Sequence, residues 1–374
     1  MDVPFFVPNF NKFSEAAVIE VIKSGWLTTG IVCKKFEQEF CKITNVRHSI
    51  GTSSCSSALI LALKSLNLPV GAEVLVPSMT FLSTVSAVIQ CGLTPVFVDV
   101  DYSTHNININ DVKKNISRKT SVVIAVHFGG LPCDLKELSS VCRDNGLYLI
   151  EDAAHALPSS YNGGNIGSCG YSDITCFSFY SNKTLTTGEG GMITTKSSKI
   201  ANYCELARSH FMDKSSWNRF DKASQNWKYD ATSLGFKYNL ADLNAAIGLA
   251  QLKTMVSDND KRAKIARAYY AAFGDHHAIE LTACPNGRTS SNHLFQIKIQ
   301  NRDGLFTALK SQNISCSVHY TPVHQLSFYK SYLKPEQMLP NTDKIGENVL
   351  SLPIFPTMTK KQVDYVIEKV NENV

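Results

Sequence analysis

Two side chains in this sequence have the type and the setting for carbonyl chemistry. Lys183 stands alone among small hydroxyl residues, Ser181 and Thr184 to Thr187, between an apolar, aromatic run at 175–179 and the pair Gly190-Gly191. A lysine beside a buried strand loses hydration, which favours the neutral amine, and a neutral amine attacks carbonyls. Asp152 follows the apolar run at 147–150 in Glu151-Asp152-Ala-Ala-His155. An acid at a strand's carboxyl end, followed by a strand-flanked lysine, suits a pyridoxal phosphate site. There the lysine holds the cofactor aldehyde as a Schiff base and the acid keeps the pyridine nitrogen protonated. Taken singly, Lys183 reads as a surface lysine and Asp152 as a helix cap. The surrounding pattern carries the cofactor reading.

That pattern is an alternation of strand and helix. Short, β-branched-rich runs at 74–77, 95–100, 121–126, 147–150, 175–179 and 192–195 read as buried strands. Asp134-x-x-Glu137 opens a helix through Leu135, Leu138, Val141 and Cys142, and Gly146 stops it. Such alternation predicts a mainly parallel α/β sheet covered by helices on both faces. Ligands in such sheets bind beyond the carboxyl ends of the strands, where Asp152 and His127 fall. The hydroxyl run at 52–57 opens a helical stretch at Ala58, which suits a phosphate site or simply a well-capped helix.

Upstream, 13–24 is amphipathic and 33–43 is a further helix. Residues 212–233 read as a polar surface excursion containing Trp217 and Trp227. A helix starts near Asp242, and a longer one over 257–273 bridges into a C-terminal unit. That unit has strand-like 294–299, a helix near 304–312, strand-like 316–320, and a last helix opened by Thr359-x-x-Gln362. The expected division is a large cofactor-binding domain with the N-terminal segment at 1–255, and a smaller α+β domain at 256–374.

Composition narrows the function classes. The 374 residues can bury a sizeable core, and 44% hydrophobic with 18% charged residues describes an ordinary soluble protein. A net charge of +5 without a Lys/Arg run argues against nucleic acid as a partner. Eleven scattered cysteines with no C-x-x-C pair point to a reducing compartment. The N-terminus lacks a signal-peptide pattern and nothing has the apolar length of a membrane span, so the expectation is a cytoplasmic protein. The sequons at Asn115 and Asn182 then read as chance. No metal-ligand spacing stands out.

Together, Asp152-Ala-Ala-His155, Phe177-Ser178-Phe179, Lys183 and Thr186-Thr187-Gly188-Glu189-Gly190-Gly191 resemble the nucleotide-sugar aminotransferases of the DegT group. These are fold-type-I pyridoxal phosphate enzymes. The likeness runs from Ser24-Gly-Trp-Leu-Thr-Thr-Gly30 to Ser351-Leu-Pro-Ile-Phe-Pro356. It implies that Lys183 is the Schiff-base lysine and proton shuttle, that Asp152 pairs with the pyridine nitrogen, and that His155 lies near the phenolic oxygen. Ser56, Ser57 and Ser178 would bind the phosphate, although many relatives read Gly-Thr where this chain has Cys55-Ser56. Phe81 would stack over the ring. Asn239 would reach the phosphate of the other subunit, which makes the active unit a homodimer. Thr28, Lys237 and His324 fall on substrate-binding positions.

Ser24-Gly-Trp-Leu-Thr-Thr-Gly30, Asp152-Ala-Ala-His155 and Gly235-Phe-Lys-Tyr-Asn-Leu240 resemble the UDP-4-amino-4-deoxy-L-arabinose aminotransferases in particular. The segments around Lys183 and at His319-Tyr-Thr-Pro-Val-His324 resemble the wider family instead. The implied reaction transfers an amino group from an amino acid, expected to be glutamate, to a keto group of a nucleotide-linked sugar, expected at C4. A related dehydratase, which has histidine at the lysine position, is disfavoured by Lys183. A cofactor-bound regulator without turnover is disfavoured by the full catalytic set and by the want of a DNA-binding segment.

Overall fold

The computed structural model describes residues 1–10, 12–213 and 229–374. Its centre is a seven-stranded sheet built from β1 (His48–Thr52), β2 (Glu73–Pro77), β3 (Thr94–Val98), β4 (Thr120–Val126) and β5 (Tyr148–Asp152). Two short strands follow, β6 (Ser160–Tyr161) and β7 (Gly164–Asn165). Then β8 (Ile174–Ser178) and β9 (Gly191–Thr195) complete the sheet. The order is β1-β9-β8-β5-β4-β2-β3, and within it only β9 runs against the other six.

Strand alternation divides the residues between two cores. Val74, Val76, Val122 and Ile124 point into one, beneath the helices Cys55–Ser65, Leu82–Gln90 and Ser198–Ala207. Leu75, Val123 and Ala125 point into the other, beneath Ile31–Thr44, Leu135–Asp144 and Asp242–Leu252. Burial on both faces is why these strands read as continuous apolar runs rather than as polar–apolar alternation.

The register brings the carboxyl ends together. Val126 of β4 lies opposite Asp152, and Asp152 lies opposite Cys176 of β8. The chain after each of these strands therefore opens onto one rim.

A second sheet, β10 (Glu280–Leu281), β12 (Phe295–Lys298) and β13 (Val349–Leu352), packs with the last helix, Lys360–Glu372, around a core of its own. Thr359 and Gln362 form the expected reciprocal cap of that helix. The helix Met255–Phe273 serves both layers. Met255 enters a large-sheet core, whereas Ile265, Tyr269 and Phe273 enter the small one. The chain crosses the expected division at residue 255 in two places. Val3 lies in the small core and bonds through its backbone to Asn313 and Ser315. Strand β11 (Arg288–Thr289) pairs with β6 of the large layer.

The strand expected at 316–320 does not form as a ladder. Ser317 pairs with Ser351 in a single bridge, after which His319 and Tyr320 leave the sheet edge for the rim of the large layer. Most of the polar excursion expected at 212–233, including Trp217 and Trp227, lies outside the described residues. Among the described residues, no helix is long and apolar enough to cross a membrane, and no cluster of His, Cys, Asp and Glu could hold a metal ion.

Candidate active site

A cavity of about 390 Å³ opens at the carboxyl rim of the sheet. Its wall includes Asp152, His155, Ser178, Lys183, Ser56 and Phe81, which the sequence scatters over more than 120 positions.

Asp152 ends β5 and is buried. Its Oδ2 accepts the hydroxyl of Thr84 at 2.8 Å, and Oδ1 accepts the amide of Ala154 at 3.1 Å. Thr84 in turn contacts the hydroxyl of Thr80, 2.9 Å away on the cavity wall. Burial raises the Asp152 pKa, and the bonds from Thr84 and Ala154 together with the charge of Lys183 pull it back. The outcome is a carboxylate held rigidly with one face toward the cavity. Its neighbour Glu151 points the other way, into a buried pair with His127 at 2.7 Å. His127, expected at the rim, therefore lies beneath it. Its Nδ1 accepts the amide of Cys133 and its Nε2–H is given to Glu151.

Lys183 projects into the cavity from the loop between β8 and β9. Burial, the leading cause, lowers its pKa to about 8, against the opposing pull of Asp152. A substantial neutral fraction near physiological pH is what an amine nucleophile or proton carrier needs. His155 stands nearby with its Nδ1 accepting the amide of Gly129 at 3.3 Å. That bond assigns the ring proton to Nε2, which lies 3.1 Å from the Tyr320 hydroxyl. Burial first, and then the Lys183 charge, hold His155 well below the usual histidine range, so the ring is neutral. His319 is held down to about 4 for the same two reasons.

One end of the cavity is built for an anion. The helix Cys55–Ser65 begins there, with Ser54 as its cap accepting the amide of Ser57. The amides of Cys55 and Ser56, at the helix start, cannot be used within the helix, and Ser56 and Ser178 add hydroxyls to the same wall. Glycine is required where β9 begins. A Cβ on Gly191 would stand 2.5 Å from the Ser54 carbonyl, and one on Gly190 would stand 2.3 Å from Thr187 Oγ1. The glycine pair lets the strand start lie against the helix start. Phe81, 53% exposed, presents a flat apolar face beside Tyr320 across the opening.

Five expected residues are not on this wall. Ser57 turns inward, its hydroxyl 2.9 Å from those of both Ser53 and Ser54, while its amide is given to the Ser54 cap. His324 is buried between Ser78, 2.7 Å from Nδ1, and Asp343, 3.0 Å from Nε2. With both ring nitrogens used in joining the layers, it has nothing left for a substrate; His319 and Tyr320 occupy the wall instead. Asn239 gives its amide to Thr29 at 2.6 Å and bridges Thr52. Lys237 bridges Ser209. Thr28, also expected at the substrate, is exposed and accepts the Asp242 amide through its carbonyl beside Asn239.

Besides His319, three contributors were not anticipated. Thr84 carries a faint sequence signal, four residues after Thr80 at the opening of a helix. Tyr320 sits in a stretch expected to be a strand. His293, buried and with its Nε2 3.5 Å from the Lys183 amine, has no signal at all, since it lies 110 positions away.

Comparison with known proteins agrees with this geometry. The sequence pattern of the DegT/DnrJ/EryC1/StrS aminotransferase family matches residues 8–371. The spore coat polysaccharide biosynthesis protein SpsC of Bacillus subtilis is 37% identical over 380 residues, covering 100% of this chain and 97% of SpsC. Helicobacter pylori PseC, an aminotransferase involved in the biosynthesis of pseudoaminic acid, has a TM-score of 0.93 at 26% identity, covering 100% of this chain and 99% of that one. The Streptococcus pneumoniae protein Spr1654 in its PLP form has a TM-score of 0.92 at 27% identity, covering 100% of both chains, and it is also solved in a PMP form.

Proposed function

This chain belongs to the DegT/DnrJ/EryC1/StrS aminotransferase family, and on that premise we propose that it transfers an amino group from glutamate to the C4 keto group of a nucleotide-linked sugar. The observation that carries the reading is the meeting of a lysine with a lowered pKa and a buried, hydrogen-bonded carboxylate on one cavity wall, beside a helix start.

The residues present fit pyridoxal 5'-phosphate. Ser56, Ser178 and the amides at the helix start suit its phosphate, Asp152 its ring nitrogen, Phe81 its ring face, and Lys183 its aldehyde. When bound, the cofactor supplies the carrier for the amino group and an electron sink for the substrate carbon. Lys183 moves the proton at that carbon, because its amine exchanges protons near neutral pH. Asp152 would hold its negative charge against the ring nitrogen. His155, whose ring is neutral, would lie toward the cofactor's phenolic oxygen. Tyr320 and His319 close the opposite wall, which excludes water from the reacting atoms.

The functional unit is a homodimer in this reading. Thr28 and Asn239 lie beside the start of the helix Asp242–Leu252, Lys237 lies two residues before Asn239 against Ser209, and none of the three lines the cavity of its own chain. A patch of that kind can serve the cavity of a second copy reciprocally across a twofold axis. The reaction takes place in the cytoplasm, where the mostly buried thiols stay reduced.

Two experiments test these statements. Purified protein loaded with cofactor and given glutamate is screened against UDP-, dTDP- and GDP-linked 4-keto and 3-keto sugars. One 4-keto sugar should turn over well ahead of the rest, and turnover confined to 3-keto sugars would refute the C4 assignment. The second experiment refolds Lys183→Ala and Asn239→Asp together in equal amounts. If Asn239 serves the partner's site, half the dimers are mixed and each has one intact site, so about a quarter of the wild-type sites return. No recovery from a mixture that still dimerises would place the function of Asn239 within its own chain.

A further inference from the structure

One buried ring against Lys183 has no part in the chemistry above. His293 lies between β11 and β12 and is 6% exposed. Its Nε2 is 3.5 Å from Lys183 Nζ, and its ring centroid is 4.5 Å from that of His155. The backbone around it is pinned. The Ser291 amide bonds to the Gly130 carbonyl at 3.3 Å and to Ser159 Oγ at 3.0 Å, and the Leu294 amide bonds to the Gly129 carbonyl at 3.2 Å. The Ser291 hydroxyl is 2.5 Å from the His155 carbonyl. Gly130, at φ +98°, permits this approach, since a Cβ there would stand 2.0 Å from Ser291 Oγ.

The other ring nitrogen, Nδ1, is buried and has no partner. A neutral imidazole carries one proton. On Nδ1 it would be a buried N–H without an acceptor; on Nε2 it leaves only a bare lone pair at Nδ1. Orphaned buried donors are the rarer case in folded proteins. The favoured tautomer therefore directs Nε2–H at the lysine nitrogen. A donor facing Nζ meets the lone pair of an amine and repels the hydrogens of an ammonium. The other groups facing this pair are Asp152 and Cys55 on the lysine side, and His155, Arg262 and His319 on the histidine side. Burial first, and then the charges of Lys183 and Arg262, oppose protonation of His293, so its ring stays neutral.

We propose that His293 is a positioning residue for Lys183, its Nε2–H holding the free amine by the lone pair, neutral and aimed at the cavity. The proposal deepens the reading of Lys183 as the reacting amine and rests on it. The lowered lysine pKa, for which burial is the leading cause, accords with it.

The test titrates Lys183 in cofactor-free, full-length protein by competitive acetylation, read as the modified peptide by mass spectrometry. Wild-type Lys183 should titrate near 8. In His293→Gln the terminal amide can occupy the Nε2 position, and the lysine should titrate within ~0.3 of wild type. In His293→Asn the amide is too short and in His293→Met there is no donor. Both should titrate about one unit higher, leaving about tenfold less neutral amine at pH 7. Either of the last two variants suffices if the other does not fold. Titration of all variants alike, or an equal rise in His293→Gln, would overturn the proposal and make the ring a packing element. An error in the reading of Lys183 itself shows separately, as covalent cofactor attachment surviving in Lys183→Ala.

Discussion

Replacing Lys183 by Ala should lower amino transfer by ~10³-fold or more, because on the proposed function one side chain would be both the attacking amine and the proton carrier. The loss should appear in kcat rather than in KM. Borohydride treatment followed by peptide mass mapping should find cofactor attached to wild-type Lys183 and to no residue of the variant. The structure explains why no neighbour substitutes. The other nitrogens near the lysine belong to His155 and His293, whose rings are buried and neutral and lack a primary amine. A variant that turns over at the wild-type rate would show that the amine chemistry lies elsewhere in the chain.

Asp152→Asn should lower amino transfer by ~100-fold or more, comparable to the loss of other preorganised electrostatic contacts. The substitution keeps the shape but removes the charge that the site is built to hold. Thr84 and the Ala154 amide both donate to the carboxylate; an asparagine in its place can accept from the Ala154 amide and give its NH₂ to the Thr84 hydroxyl, which then turns its hydrogen to Thr80. The variant therefore loses the anion and little else, and the seven-stranded sheet keeps its packing. Thermal unfolding should move far less than turnover does. A rate close to wild type with intact cofactor binding would assign the ring-nitrogen partner to another acid.

Much of this protein was legible because local physics and tertiary structure agree. The parallel sheet announces itself in β-branched runs, since strands buried on both faces must be apolar at every position, as 74–76 and 122–125 are. Lys183 and Asp152 were recognisable because each follows such a strand, and a strand's carboxyl end is where open α/β sheets bind ligands. The reciprocal cap at Thr359 and Gln362 is a rule of neighbouring residues and came out as expected.

Where several roles compete for one side chain, sequence cannot say which prevails. Ser57 could face the cavity or turn to its neighbours, and the Ser54 cap, which accepts the Ser57 amide, leaves its hydroxyl against those of Ser53 and Ser54. His324 had the same choice, and Ser78 and Asp343, from two different layers, took both its nitrogens. The segment at 316–320 has strand-like composition, yet its ladder ends after one pair because His319 and Tyr320 are drawn to the rim of the other layer.

The residue types, the order of elements and the lysine–carboxylate pair were thus written along the chain, because each depends on neighbours within a few positions. The ring against the lysine and the orientation of every shared side chain were decided only by folding. They depend on backbone contacts such as Ser291 to Gly130 and Leu294 to Gly129, between segments more than 150 positions apart, which no local pattern encodes.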